Sequence, residues 1–168
     1  EERYRAATEA ALAGIGIADS EENITFANLA FAEMLGYTQE ELVGMNLAQL
    51  TNGEEFNRYR AATQRRKAGA RNHYETRLRH KDGPVVHVLV SASPLKAKDG
   101  SFEGTLGVII DITERVQIEA IRAQTEQEIE ERRKYLEGML AAAPDAIVTL
   151  DTKHRVVEWN PGAERLFG

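Results

Sequence analysis

The sequence contains no cysteine. That excludes disulfides, thiolate catalysis, Cys-ligated zinc and iron–sulfur clusters, and it suits a reducing compartment. No apolar run approaches the roughly 18–20 residues that a bilayer span needs, and no signal-peptide pattern is visible. There is no positive excess either: 21 Lys and Arg face 27 Asp and Glu, for a formal net charge of −6. Nucleic acid and anionic membrane surfaces are held by clustered cations, so neither is expected as a partner of this segment. A Gly-x-x-x-x-Gly-Lys phosphate loop is missing, and no nucleophile, base and oxyanion donor converge on a common pattern. The remainder, 42% hydrophobic and 29% charged over 168 residues, is ordinary for a globular protein. A cytoplasmic location is expected. The chain opens Glu-Glu and reads as an internal piece of a longer protein, any membrane anchor of which would lie elsewhere.

The periodicity along the chain changes several times. Residues 3–13 show a helical stripe through Tyr4, Ala7, Ala11 and Leu12, with Gly14 as its stop. Two short strands follow, GIGIAD and NITFA, joined by the polar turn Asp19-Ser20-Glu21-Glu22. Asn28 stands where a helix begins and Gly36 where it ends. Thr38-Gln39-Glu40-Glu41 has the form of a capping box, and Thr51-Asn52-Gly53-Glu54 reads as another. That second helix carries Glu54 and Glu55 in its first turn and Arg65, Arg66 and Lys67 in its last, an order that complements the helix dipole. The acid-free stretch 57–74 is therefore read as the solvated face and basic end of a helix. From residue 71 the period becomes two, giving strands HYETRLRH, VVHVLVSAS and GTLGVIID with Asp-Gly turns between them. The predicted class is α+β, built on one antiparallel sheet.

Residues 113–137 contain neither Gly nor Pro and are densely charged, so they read as one long helix. Asp111-Ile112-Thr113-Glu114 can cap its start. Ile118, Ile121, Ile129, Leu136 and Met139 form an incomplete heptad seam, interrupted by Thr125 and Arg132. Beyond it the opening pattern returns at an offset of 132 residues: Ile147 falls on Ile15, Asp151 on Asp19, Asn160 on Asn28 and Gly168 on Gly36. The aspartates suit turns and the asparagines suit helix caps.

The stretch EERYRAATEAALAGIGIADSEENITFANLAFAEMLGYTQEELVGMN, followed by HKDGPVVHVLVSASPLKAKDGSFEGTLGVIIDITER, resembles the PAS family of sensory domains with its C-terminal PAC motif. The residues Asp111 to Arg115 are the most specific element and resemble the junction between a PAS domain and its linker helix. The resemblance implies a five-stranded antiparallel sheet with short flanking helices over residues 14–112, after a flanking helix at 1–13. It further implies a signalling or coiled-coil helix at 113–137 and a second PAS domain, cut short, at 138–168. It also implies a non-enzymatic module of a multi-PAS signalling protein, most often a sensor histidine kinase of a two-component system, or a cyclase.

Within the resemblance, cofactor chemistry can be tested residue by residue. Flavin photosensors of the family need Cys in a Gly-x-Asn-Cys pattern, and here Gly44-Met45-Asn46 is followed by Leu47. Leu78, Val88 and Ile109 stand where amides would hold the flavin edge, and an unpaired buried edge costs about 1–3 kcal/mol per group. Haem-binding members carry an axial His on the helix before the last three strands. Here none of the four histidines, His73, His80, His87 and His154, lies in 53–69. A coumarate-type chromophore needs Cys. No flavin or haem is therefore expected, while an unknown small ligand stays open.

The expected inner face comprises Gly16, Ala18, Leu78, Val88, Val90, Ala92 and Ile109 from the sheet. Leu42, Leu47, Leu50 and Phe56 are added from the helices. This set reads either as a plain core or as a small cavity for an apolar or weakly polar ligand. Val85, Leu89, Leu106, Val108 and Ile110 alternate outward and are too apolar to face water uncovered. Two functions follow. One is a cofactor-free relay module that forms a parallel homodimer and passes a conformational signal through Asp111, Thr113 and Glu114 into the linker helix, toward an adjacent PAS or output domain. The other is a small-molecule sensor with an apolar pocket. The first is preferred because the inner wall shows no polar anchors.

Overall fold

The structure is a computed structural model and describes residues 12–167. The helix expected at 3–13 falls almost wholly outside those residues; Leu12 and Ala13 form a bend. The chain divides into two compact units, with the boundary after Val116.

The first unit starts with β1 (Gly14–Asp19) and β2 (Ile24–Ala27). Three short helical pieces follow: α1 (Leu29–Leu35), α2 (Gln39–Leu42) and a 3-10 turn (Leu47–Gln49). Then come α3 (Gly53–Lys67), β3 (Asn72–Arg79), β4 (Val85–Lys96) and β5 (Phe102–Asp111). The five strands form one antiparallel sheet in the order β2-β1-β5-β4-β3. Alternation decides its faces. Ala18, Leu78, Val86, Val88, Val90, Ala92 and Ile109 turn inward and are buried with Ile24, Phe31, Leu35, Leu42, Leu47 and Leu50. On the opposite face Val85 and Ile110 are exposed, and Leu89, Leu106 and Val108 are half-buried.

Two glycines are required by close approach. Gly36 ends α1 at φ 74°, and a Cβ there would lie 2.3 Å from the His80 ring. At Gly104 a Cβ would lie 2.3 Å from the Ala18 carbonyl, so β1 and β5 could not pair.

Local capping chemistry acts as the sequence indicates at Thr38, where both arms of the box with Glu41 form. At α3 it differs: Asn52, not Thr51, is the cap, accepting from the Glu55 amide at 2.8 Å. Thr51 is buried and its hydroxyl donates to the Leu47 carbonyl at 3.0 Å. A further box, between Asn46 and Gln49, starts the 3-10 turn.

The helix α4 (Thr113–Ala142) runs past the expected end at residue 137. Gly138 is tolerated inside it, and Pro144 is what stops it, because the residue before a proline avoids the helical region. No residue of α4 is buried. Its charged side chains pair along the helix, Arg133 with Glu130 and Glu137, and Lys134 with Glu130.

The second unit continues with β6 (Val148–Leu150), β7 (Val156–Trp159) and α5 (Pro161–Phe167). It repeats the start of the first in detail. Asn28 Oδ1 accepts from the Ile15 amide at 2.8 Å and the Phe31 amide at 3.0 Å, while its Nδ2 donates to the Ala13 carbonyl at 3.1 Å. Asn160 does the same with Ile147 at 2.8 Å, Ala163 at 2.9 Å and Asp145 at 2.9 Å. Asp19 accepts from the Glu21 and Asn23 amides, and Asp151 from those of Lys153 and Arg155. The two non-glycine residues with positive φ among those described, Glu22 and His154, also correspond. Both hairpins shift register at the same step, Ile17/Ala18 and Thr149/Leu150. Among the described residues the second copy has these two strands, and both are exposed throughout.

Candidate functional site

A cavity of about 360 Å³ lies between the inner face of the sheet, α3 and the 3-10 turn. Of the ten sequence-derived pocket residues, Gly16, Ala18, Leu47, Leu78, Val90 and Ile109 line it. The other four do not. Leu42, Leu50 and Val88 are fully buried in the adjoining core, and Phe56 packs against that core, so their side chains support the wall rather than form it. Ala92 is also in the core.

One end of the cavity is polar, which corrects the reading of an inner wall without polar anchors. Asn72, Tyr74, Thr76 and Thr105 alternate inward from β3 and β5, and Glu55 and Tyr59 face them from α3. Behind this end stands Arg66, 0% exposed. Its Nε donates to Thr105 Oγ1 at 3.1 Å and its Nη1 to Asn72 Oδ1 at 3.2 Å, and its Nη2 donates to Thr63 Oγ1. The guanidinium also lies 5.0 Å from the centroid of the Tyr59 ring, which meets the Tyr74 ring edge-on. Arg66 was expected on the solvated basic end of α3 and is instead its most buried charge. Arg58 and Arg65, by contrast, are exposed at the cavity.

Glu22 is only 3% exposed, and its Oε2 has no hydrogen-bond partner among the described residues. Burial raises its carboxyl above the usual range, against the opposing pull of Thr63 and Arg66. Burial likewise raises the phenols of Tyr59 and Tyr74, so both stay protonated. At Glu55 burial acts upward too, but hydrogen bonds from Thr76 at 2.8 Å and Arg77 at 3.0 Å outweigh it and hold the carboxyl below its ordinary value.

A helical stripe was the signal for α3's contribution. Glu55, Tyr59, Ala62, Thr63 and Arg66 recur at helical spacing, which marks a common face of α3 without marking the arginine on it as buried. Glu22 gave no such sign, because a polar residue in a turn ordinarily faces water.

The junction after β5 is fastened to the neighbouring strand. Asp111 Oδ1 accepts from the Thr113 amide at 2.8 Å. Thr113 Oγ1 accepts from the His87 amide at 3.0 Å, and the Ile112 amide donates to the His87 carbonyl at 2.8 Å. Glu114 supplies the acid of the first helical turn, and Arg115 pairs with Glu75 on β3. In α4 the seam residues Ile118, Ile121, Ile129, Leu136 and Met139 are all exposed, and the Thr125 hydroxyl folds back on the Ile121 carbonyl at 2.9 Å.

Of the four histidines, His73 alone borders the cavity, with Nδ1 2.8 Å from Ser91 Oγ. No cluster of metal-ligating side chains occurs among the described residues. No helix among them is long and apolar enough to cross a membrane.

A five-stranded antiparallel sheet backing a cavity, with a capped junction into a long helix, defines a sensory domain. The sequence profile described as the PAS domain matches residues 12–114, and a second PAS domain profile matches residues 134–168. The chain belongs to the PAS domain family. It is 31% identical over 131 residues to the sensor histidine kinase TmoS of Ectopseudomonas mendocina, covering 77% of this chain and 14% of that protein. It is 30% identical over 131 residues to the probable diguanylate cyclase DgcE of Escherichia coli, covering 77% of this chain and 12% of that protein. Among solved structures it matches a domain of a sensory box sensor histidine kinase/response regulator from Geobacter sulfurreducens. The TM-score is 0.57 at 29% identity, covering 66% of this chain and 92% of that one. The chain is thus a PAS sensory module of the kind found in signalling proteins and spans less than one-sixth of these curated relatives.

Proposed function

We propose that the first unit senses a small molecule in its cavity and relays its occupancy into α4. The observation that carries this reading is continuity. Thr105, Gly107 and Ile109 of β5 line the cavity, and two residues further Asp111 begins the junction. A displacement of β5 therefore reaches Thr113 without crossing a loop, and the bonds to His87 make β4 move with it. The pair Glu75–Arg115 joins β3 to the first turn of the same helix. The polar end of the cavity favours sensing over the cofactor-free relay, since placed polar groups are what orient a ligand.

The relay ends in a parallel homodimer through α4. A lone exposed helix of this composition is marginal in water, and its five apolar seam residues need cover. Thr125 and Arg132 keep the seam weak enough to rotate or shift register. The relatives named as a kinase and a cyclase support an output of that type in the whole protein, with the second PAS unit between. Neither nucleic acid nor membrane is a partner of this segment on this reading, and no flavin or haem is held.

The test is amide hydrogen exchange at residues 113–116. Val90→Phe fills the cavity and should change exchange there, and Asp111→Ala should abolish the change. Unaltered exchange in the filled variant would refute the relay. Sedimentation at about 100 μM should show a dimer, since assembly depends on protomer concentration; a monomer refutes the paired helix.

A further inference from the structure

The polar end of the cavity is unbalanced in its hydrogen bonding. The carboxylate, amide and threonine acceptors that line it are engaged: Glu55 takes bonds from Thr76 and Arg77, Asn72 Oδ1 and Thr105 Oγ1 take bonds from Arg66, and Thr76 already donates to Glu55. An arginine donates and never accepts, so it occupies the acceptor sites of its partners and leaves their hydrogens. The Asn72 amide hydrogens and the Thr105 hydroxyl hydrogen are therefore still to be placed. The Tyr74 hydroxyl is buried without a hydrogen-bond partner among the described residues, and burial keeps both it and the neighbouring Tyr59 hydroxyl protonated as donors. Tyr59, Asn72 and Thr105 all touch Arg66 and all line the cavity, so three donor groups converge on one end of it.

The charge balance at that end has a sign. Arg66 is buried and always charged, and its neighbour Glu22, whose carboxyl burial raises, does not line the cavity. Arg65 lines the cavity without a partner among the described residues, and Arg58 meets Glu54 only at 3.9 Å on the surface. The acids that line the cavity, Glu55 and Glu75, are each ion-paired, to Arg77 and Arg115. The rest of the same sheet face is apolar at Leu78, Val90 and Ile109, and Phe31 of α1 also lines the cavity.

We infer that the cavity takes a small amphipathic carboxylate, its apolar body against the Leu78–Val90–Ile109 wall and its carboxylate accepting hydrogen bonds at Tyr59, Asn72 and Thr105. This rests on the sensory reading above and gives it a ligand class. A hydrocarbon leaves the three donors unpaired, and an ammonium meets donors and a buried cation. A neutral alcohol satisfies one donor at a time and gains nothing from the charge.

The test is calorimetric titration of the full chain with four probes of one shape: phenylacetate, phenylethanol, ethylbenzene and phenylethylamine. Phenylacetate should bind at least about tenfold tighter than phenylethanol, as expected for hydrogen bonds to a charged acceptor. Tyr59→Phe keeps the ring over Arg66 and removes only the hydroxyl. It should weaken phenylacetate by about tenfold and leave ethylbenzene within about twofold. Asn72→Ala gives the same comparison should the first variant fold poorly. Ethylbenzene or phenylethylamine binding as tightly as phenylacetate overturns the ligand class and leaves cavity sensing standing. Equal losses for acid and hydrocarbon in Tyr59→Phe overturn the donor assignment. No binding by any probe at millimolar concentration overturns both the ligand class and the sensing reading.

Discussion

Replacing Arg66 by methionine exposes how much of the first unit hangs on one buried guanidinium. Methionine restores most of the apolar stem but leaves Thr63, Asn72 and Thr105 without their donor. Hydrogen bonds from a charged group contribute about 1.5–3 kcal/mol each, and the desolvation of the guanidinium offsets part of the sum. Removing one member of a buried charged network costs about 3–5 kcal/mol, and that is the loss expected for Arg66→Met. The loss should also depend on pH. Burial raises Glu22 above its ordinary value of 4.5 even with Arg66 present. A carboxyl raised in the folded state contributes stability that is complete below 4.5 and is lost as pH climbs through the folded value. Without Arg66 the charged form of Glu22 loses an attraction, so that decline steepens. Arg66→Met should cost more near pH 7 than near pH 4. Urea unfolding followed by far-UV circular dichroism gives the free energy, and amide exchange in β3, β4 and β5 locates it. Trp159 lies in the second unit, so its fluorescence serves as an internal control. A cost below about 1 kcal/mol, or one independent of pH, would refute the network as described. Combining the change with Thr105→Val should give a coupling of at least about 0.5 kcal/mol, because the two side chains are in direct contact.

The matched asparagines should behave unequally. Asn28→Ala leaves two amides and a carbonyl unpaired in a buried site and should cost the first unit about 2–4 kcal/mol, whereas Asn160→Ala should leave that unit's exchange rates unchanged. Purified protein should show no absorbance band above about 320 nm, because Leu47, Leu78 and Ile109 line the cavity where a flavin needs Cys or amide groups; a flavin or Soret band in fresh protein contradicts this. Trp159 is half exposed on β7, so its emission should be red-shifted and quenchable in dilute protein and should move to the blue on self-association. A blue, protected emission from a proven monomer contradicts that expectation.

Much of the architecture was decided within short stretches of sequence. Asn28 and Gly36 bound α1, Thr38 and Glu41 close a box, and Asp-Gly turns separate strands whose period of two assigns Val88 and Val90 to one face. These are interactions across a few residues, so the side chains that make them can be read in order. The repeat at an offset of 132 is legible for the same reason: Asp151 and Asn160 restore the turn and the cap of Asp19 and Asn28 from their own neighbours, although the second copy has no closed sheet around it. Other features depended on parts of the chain far apart in sequence. Asn52 prevails over Thr51 as a cap because Thr51 is held under the 3-10 turn. Arg66 turns inward because Thr105, 39 residues away, and Asn72 meet it there. The cavity itself is space that packing leaves unfilled, so no local pattern could separate its wall residues Leu78, Val90 and Ile109 from Leu42, Leu50 and Val88, which are equally apolar but close-packed. Hydrophobicity told which side chains leave water; only the tertiary arrangement of strands and helices decided which of them meet one another and which face a void.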